Sequence, residues 1–203
     1  PEFRAKDIIS KGTELLGTVS VTAIGKIDNL NQMSKVNYRL TLPENHNFNL
    51  DKDRQIFSND ILTVTKEKIP NINANICIDD NNLLKATPYI QSDNKYIIEK
   101  AETIISDAKN DLQKVKELIN WVYLNIEKKP VLSIPDAVTT LHTRVGDCNE
   151  HAALFAALSR SVSIPARIAA GVTYHDGKFY YHAWNEICID GKWISLDTTS
   201  NQF

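Results

Sequence analysis

Three side chains in this sequence could together open an amide bond: Cys148, His182 and Asp197. Cys148 follows Gly146-Asp147 and precedes Asn149-Glu150-His151-Ala152-Ala153, the start of an alanine-rich helix running to about Ser161. A cysteine in the first turn of a helix lies at the positive end of the helix dipole. Free N–H groups there favour the thiolate, the form that attacks carbonyl carbon. Asp147 has the chemistry to cap that helix by accepting an N–H two or three residues on. His182 stands in Phe179-Tyr180-Tyr181-His182-Ala183-Trp184-Asn185-Glu186, and Asp197 in Trp193-Ile194-Ser195-Leu196-Asp197-Thr198-Thr199. Cysteine, histidine and aspartate in that order can supply a nucleophile, a base and a group that orients the base.

These blocks resemble the transglutaminase-like superfamily, the papain-related cysteine enzymes. The motifs are Gly-x-Cys at a helix start, His-Ala-Trp on a strand and Asp-(Pro/Thr)-Thr on a strand. They occur here in order as Gly146-Asp147-Cys148, His182-Ala183-Trp184 and Asp197-Thr198-Thr199. Thr198 stands where bacterial relatives often have proline. The resemblance covers the chain from about Pro88 onward. It implies an α+β fold with a papain-like core, in which a buried helix beginning at the cysteine packs on an antiparallel sheet. It also implies Cys148, His182 and Asp197 as catalytic residues, and protein or peptide substrates, cell-wall peptides in a bacterium among them. No cofactor is expected, and no Asp/Glu-rich calcium loop like that of the calcium-dependent animal enzymes is present.

The elements that must position these groups follow from periodicity. Ile97, Ile98, Ala101, Ile104, Ile105 and Ala108 form one apolar helical stripe, with Ser92-Asp93-Asn94 offering caps; Leu112, Val115, Leu118, Ile119, Val122 and Ile126 form a second. Trp121 and Tyr123 on the second helix read as packing residues, or as a border of the cleft. Lys128-Lys129-Pro130 ends that helix, and Pro135 can start a short one through about Leu141. His142 suits a helix C-terminus. The Cys148 helix is apolar nearly all round and is therefore read as buried. Glu150 in its first turn supports the N-terminus. His151 is read as a capping or solvent-facing residue, or as a support behind the site.

Three strands follow, about Ala166–Tyr174, Phe179–Ile189 and Lys192–Thr199, joined by the turn signals Asp176-Gly177 and Asp190-Gly191. A two-residue loop at Asp190-Gly191 pairs Ile189 with Lys192. Trp184 then stands opposite Asp197, and His182 opposite Thr199. His182 and Asp197 become diagonal neighbours on one face, about 7–8 Å apart at Cα. A one-residue bulge would send them to opposite faces. Trp184 is expected beside the site, excluding water. Cys188 shares the parity of His182 and reads as a structural thiol.

Residues 4–86 alternate apolar and polar in short runs such as Thr18–Ile24, Val36–Leu42 and Ile61–Thr65, the period of half-buried strands. They are expected to form a small antiparallel β-domain, read as a sandwich, that positions substrate or packs on a catalytic domain at 87–203. Asp28–Gln32 and Asp79–Asn82 read as loops. His46 reads as a solvated loop residue, and Cys77 as a buried strand residue.

The formal net charge of −2 argues against nucleic acid or an acidic membrane surface as the main partner. No apolar run is long enough to span a bilayer. Three cysteines are too few for a disulfide framework and leave the compartment open. Pro1-Glu2-Phe3 reads as a cloning remnant. With abundant Asn, Lys and Ile, this points to an extracytoplasmic protein of a bacterium with an AT-rich genome. A metal site built from Cys148, His151, His182 and Asp197 is the competing chemistry. No second cysteine or histidine pair has structural-zinc spacing, so no metal is expected. The expected activity is cysteine-dependent acyl transfer on peptide or side-chain amides through a thioester, ending in hydrolysis or transamidation. A catalytically inactive binding or assembly module on the same scaffold is the alternative.

Overall fold

A computed structural model describes residues 20–45, 47–68, 75–77, 81–131 and 134–203. By their contacts they form two compact units, one of Gly25–Ile69 and one of the remainder. The smaller unit holds β2 (Lys35–Arg39), β3 (Gln55–Ser58) and β4 (Ile61–Thr65), in sheet order β2-β4-β3. Its described residues form one antiparallel layer of three strands. β3 escaped the sequence reading because Ile56-Phe57 breaks the alternation, and Ile56 is exposed. The β3–β4 turn at Asn59-Asp60 places both residues at positive φ, where asparagine and aspartate are tolerated. The His46 reading and part of the Thr18–Ile24 and Asp79–Asn82 readings lie outside the described residues.

The larger unit is α+β. It holds a short parallel pair, β5 (Glu127–Lys128) with β6 (Val145–Gly146), and a four-stranded antiparallel sheet centred on β8 (Lys178–Ile189). β7 (Ala166–His175) pairs with β8 along one edge. On the other edge, β1 (Ser20–Thr22) takes Lys178 to Tyr180, and β9 (Lys192–Leu196) takes Asn185 to Ile189. Among the described residues, 181–184 lie between the stretches of β8 that pair with these two short strands. Both hairpin turns have positive φ at each central residue: Asp176 and Gly177, Asp190 and Gly191. That is the type I′ geometry whose twist suits antiparallel strands.

Grouping by contact differs from the 4–86 and 87–203 division drawn where the sequence period changes. β1 joins the larger unit through β8, and residues 70–86 group there too.

The described residues of this unit hold four α-helices, α1 (Lys95–Ile104), α2 (Asp111–Asn125), α3 (Ala137–Thr143) and α4 (Cys148–Ser161), of which α4 packs on the sheet and carries the other three. Each of the first three begins where a short polar side chain takes a free N–H: Asn94 from Tyr96, Asn110 from Gln113, Asp136 from Thr139. α4 is the centre. Every residue from Glu150 to Arg160 is buried, and the helix packs against α1, α2, α3, β7 and β8. Its alanines let neighbours approach on all sides. The Arg160 guanidinium is satisfied by the carbonyls of Lys85 and Ala166.

Cys77 and Cys188, read as separate structural thiols, form a disulfide across a sequence separation of 111. Residues 75–77 run beside the end of β8. Ile76 bridges to Ile189, and Cys77 N–H donates to the carbonyl of Cys188. This brings the two Cα atoms to 5.2 Å, within disulfide range. No local spacing could have announced it.

Candidate active site

The nucleophile candidate is held by its own helix start. Asp147 caps α4: its side chain accepts from Asn149 N–H at 2.8 Å and from the N–H of Glu150, while Glu150 Oε2 accepts from Asp147 N–H at 2.9 Å. This reciprocal capping box satisfies the helix start. His151 N–H goes to the Asp147 carbonyl. Among the described residues the N–H of Cys148 meets no acceptor, as is usual for the first N–H groups of a helix. Gly146 is required for a packing reason. A Cβ there would collide with Cβ of Glu150 and come within 2.8 Å of its Cγ. Burial, and then the adjacent Asp147 side chain, push the Glu150 carboxyl above its ordinary value.

The imidazole and carboxylate meet as the hairpin arithmetic requires. Ile189 pairs with Lys192 and Asn185 with Leu196, with no bulge between them. His182 Nε2 lies 2.8 Å from Asp197 Oδ2. β9, however, ends at Leu196 rather than Thr199. Asp197 leaves the ladder because its Oδ1 accepts from Thr199 N–H at 2.8 Å and its backbone bridges to Gln202, closing a turn. That turn delivers the Ser200 hydroxyl to Asp197 Oδ2 at 2.8 Å. Ser200 was missed by sequence reasoning; only its place three residues after an aspartate in a turn could have suggested it.

Cys148 lies close enough to the His182 ring to act on its charge. With Nε2 on Asp197, the nitrogen left for sulfur is Nδ1. Burial opposes the imidazolium, but the hydrogen bond to Asp197, the nearby Cys148 and the charges of both outweigh it, raising His182 to about 10. Burial would raise Asp197 as well. The His182 hydrogen bond and charge, aided by Ser200 and Thr199, bring it below the ordinary carboxylate value. His182 lies on β8 between the residues that pair with β1 and those that pair with β9. Trp184 stacks beside it, with ring centroids 6.3 Å apart and planes 19° apart. The indole lies over Gly171, whose missing Cβ would stand 2.8 Å from the ring.

Further residues join the site. Asn185, fully buried, donates from Nδ2 to the Ala152 carbonyl at 3.0 Å, tying the strand of His182 to the helix of Cys148. It too was missed, since an asparagine in a strand carries no signal of a partner in a distant helix. Tyr181 donates from Oη to Asn149 Oδ1 at 2.9 Å. His151, for which a solvent-facing place was one expectation, is instead fully buried; its Nδ1 lies 2.7 Å from the Asp147 carbonyl, and its Nε2 has no partner among the described residues. Burial, the largest cause, lowers its pKa and keeps it neutral. Trp121 sits under Arg144 at 4.5 Å and near Lys100, and Tyr123 under Lys128 at 4.0 Å. Their ring partners are cations. His142 meets the Tyr96 ring at 5.4 Å. Among the described residues, no three of His, Cys, Asp or Glu are placed to share a metal ion, and no helix is long and apolar enough to cross a membrane.

Residues 98–198 match the transglutaminase-like superfamily. No curated protein matches the chain in sequence. Among solved structures, a protein from Cytophaga hutchinsonii described as a candidate cysteine protease is 20% identical, with a TM-score of 0.55, over 91% of this chain and 75% of that one. The periplasmic domain of TgpA from Pseudomonas aeruginosa is 22% identical, with a TM-score of 0.47, over 59% of this chain and 46% of its own. At these identities the likeness to the Cytophaga structure is one of fold.

Proposed function

Because the chain belongs to the transglutaminase-like superfamily through residues 98–198, we propose that it performs cysteine-dependent acyl transfer on peptide or side-chain amides. The observation that carries this reading is the His182–Asp197 pair beside Cys148: a half-buried imidazole 2.8 Å from a carboxylate, with a charged form favoured well above neutrality by that carboxylate and by the cysteine. Such an imidazolium beside sulfur supports a thiolate attacking the amide carbon.

Sulfur forms a bond to the carbonyl carbon, and the π electrons move to oxygen. The unclaimed N–H of Cys148 is in place to donate to that oxyanion. As the C–N bond breaks, the His182 proton passes to the departing nitrogen, leaving a thioester and a neutral imidazole. Asp197 holds the ring through Nε2 throughout. Water, deprotonated by His182, then gives the acid; a primary amine gives a new amide. Both routes regenerate Cys148. The partner is a protein or peptide substrate, and no cofactor takes part in these steps. The Cys77–Cys188 disulfide supports an extracytoplasmic setting, since such bonds persist where the surroundings are oxidising.

Alkylation with iodoacetamide tests the reading. Cys148 is expected to react quickly and with a pH dependence that His182→Ala abolishes, and a glutamine- or peptide-amide library is expected to release ammonia or amine. Slow labelling indifferent to His182, with no amide turnover, would make the domain a binding module instead. Adding a primary amine separates the two outcomes of the thioester. Product patterns unchanged by the amine mean hydrolysis alone.

A further inference from the structure

An acyl-transfer site of this kind needs more than one donor for the oxyanion, and the Cys148 N–H supplies one. Tyr181 is the residue immediately before His182 on β8. Its side chain crosses to the first turn of α4, where Oη donates to Asn149 Oδ1 at 2.9 Å. The ring thus spans from the imidazole's strand to the residue next to the nucleophile. The residue is 45% exposed. Asn149 is itself anchored, its Nδ2 donating to Asp147 Oδ1 at 3.1 Å, so the hydroxyl is parked on a fixed acceptor at the mouth of the site.

We propose that Tyr181 is a catalytic residue: its hydroxyl is the second oxyanion donor, turning from Asn149 Oδ1 to the carbonyl oxygen as Cys148 attacks. The inference rests on the cysteine acyl-transfer reading. A phenol O–H keeps its proton through the cycle, so no bond is made or broken at Tyr181; it exchanges one acceptor for another. The exchange favours the transition state because an alkoxide accepts more strongly than an amide oxygen. The surroundings favour the protonated phenol: burial, then the charges of Cys148 and Asp147, raise the Tyr181 pKa. Those two charges also place the hydroxyl in the field of the sulfur itself.

The test is Tyr181→Phe, which keeps the ring and removes only the donor. Three readouts are compared with wild type: kcat and KM on a peptide amide, affinity for a peptide aldehyde, and the iodoacetamide rate at Cys148. The aldehyde forms a hemithioacetal, whose oxygen occupies the oxyanion place; alkylation forms no oxyanion. The expected result is a kcat lower by about 100-fold, KM changed little, aldehyde affinity lowered in parallel, and alkylation within about threefold of wild type. Parallel loss in all three readouts would mean that Tyr181 merely supports the nucleophile, and overturns the proposal. So would unchanged kcat and aldehyde affinity, or an equal loss in Asn149→Ala with Tyr181→Phe silent, which would move the donor to the Asn149 amide. A wild-type protein with no amide turnover and no His182-dependent alkylation would instead refute the underlying acyl-transfer reading.

Discussion

At the scale of single residues, the site is governed by which charges the buried groups can hold. His182 titrates at about 10 in the folded chain, against an ordinary value near 6.5. A raised histidine contributes stability that is fully present below its unfolded pKa and is lost as pH rises through the folded one. Chemical unfolding followed from pH 6.5 to 10.5 is therefore expected to show stability falling in wild type, with most of that slope gone in His182→Gln. Equal slopes would mean the imidazole is not held charged. Asp197 acts in the opposite sense: its depressed pKa gives stability present above about pH 4 and lost on further acidification. Its two kinds of replacement should differ. Asp197→Asn keeps an acceptor for the Nε2–H but removes the charge. The alkaline limb of its kcat/KM profile is expected to move down from about 10 as His182 loses support. Asp197→Ala removes both and is expected to lower kcat by about 100-fold or more. A profile unmoved by Asp197→Asn would sever Asp197 from the imidazole.

At the scale of elements, the question is how a sulfur on a helix is held against an imidazole on a strand. α4 is buried from Glu150 onward, so it cannot slide without opening the core. The strand is tied to it by Asn185, whose amide meets the Ala152 carbonyl inside the packed layer. Asn185→Leu or Asn185→Ala leaves that arrangement without its polar tie. The expected cost in urea unfolding is about 1–3 kcal/mol. The Cys148 alkylation rate should also become less dependent on His182, because the two elements are no longer in register. Full stability with unchanged reactivity would show that packing alone sets the alignment. The hairpin supplies the other half. Its tight Asp190-Gly191 turn, with both residues at positive φ, admits one register only, and in that register the imidazole and carboxylate share a face.

At the scale of the whole molecule, the larger unit is stapled by one covalent bond. Cys77–Cys188 joins residues 111 positions apart, so it shortens the unfolded chain far more than a local crosslink would. Loss of such a bridge typically costs about 2–4 kcal/mol. The double variant Cys77→Ser/Cys188→Ser is expected to show that loss in denaturant melts, while Cys148 labelling in the folded protein persists. Thiol titration checks the pairing directly. Denatured but unreduced protein should present one thiol, that of Cys148, and reduced protein all three. Three thiols without reductant would refute the bridge.

Much of this protein was legible without coordinates, for a physical reason in each case. Helix starts and stops are local, so α4 begins at Cys148 and ends at Ser161, as the run of alanines and the Asp147 cap require. Type I′ turn chemistry is local too, and from Asp190-Gly191 the pairing of β8 with β9 follows by counting. What lies beyond counting is anything set by groups far apart in the chain. The Asn185–Ala152 tie, the Cys77–Cys188 bridge, the pairing of β1 with β8 and the burial of His151 join segments whose sequences contain no mark of one another. Even the turn that swings Ser200 onto Asp197 arises because a side chain competes with the ladder for the backbone. Local chemistry chose the reactive groups and the strand that carries each. Only long-range packing decided that the imidazole and the carboxylate would meet, and which neighbours would hold them there.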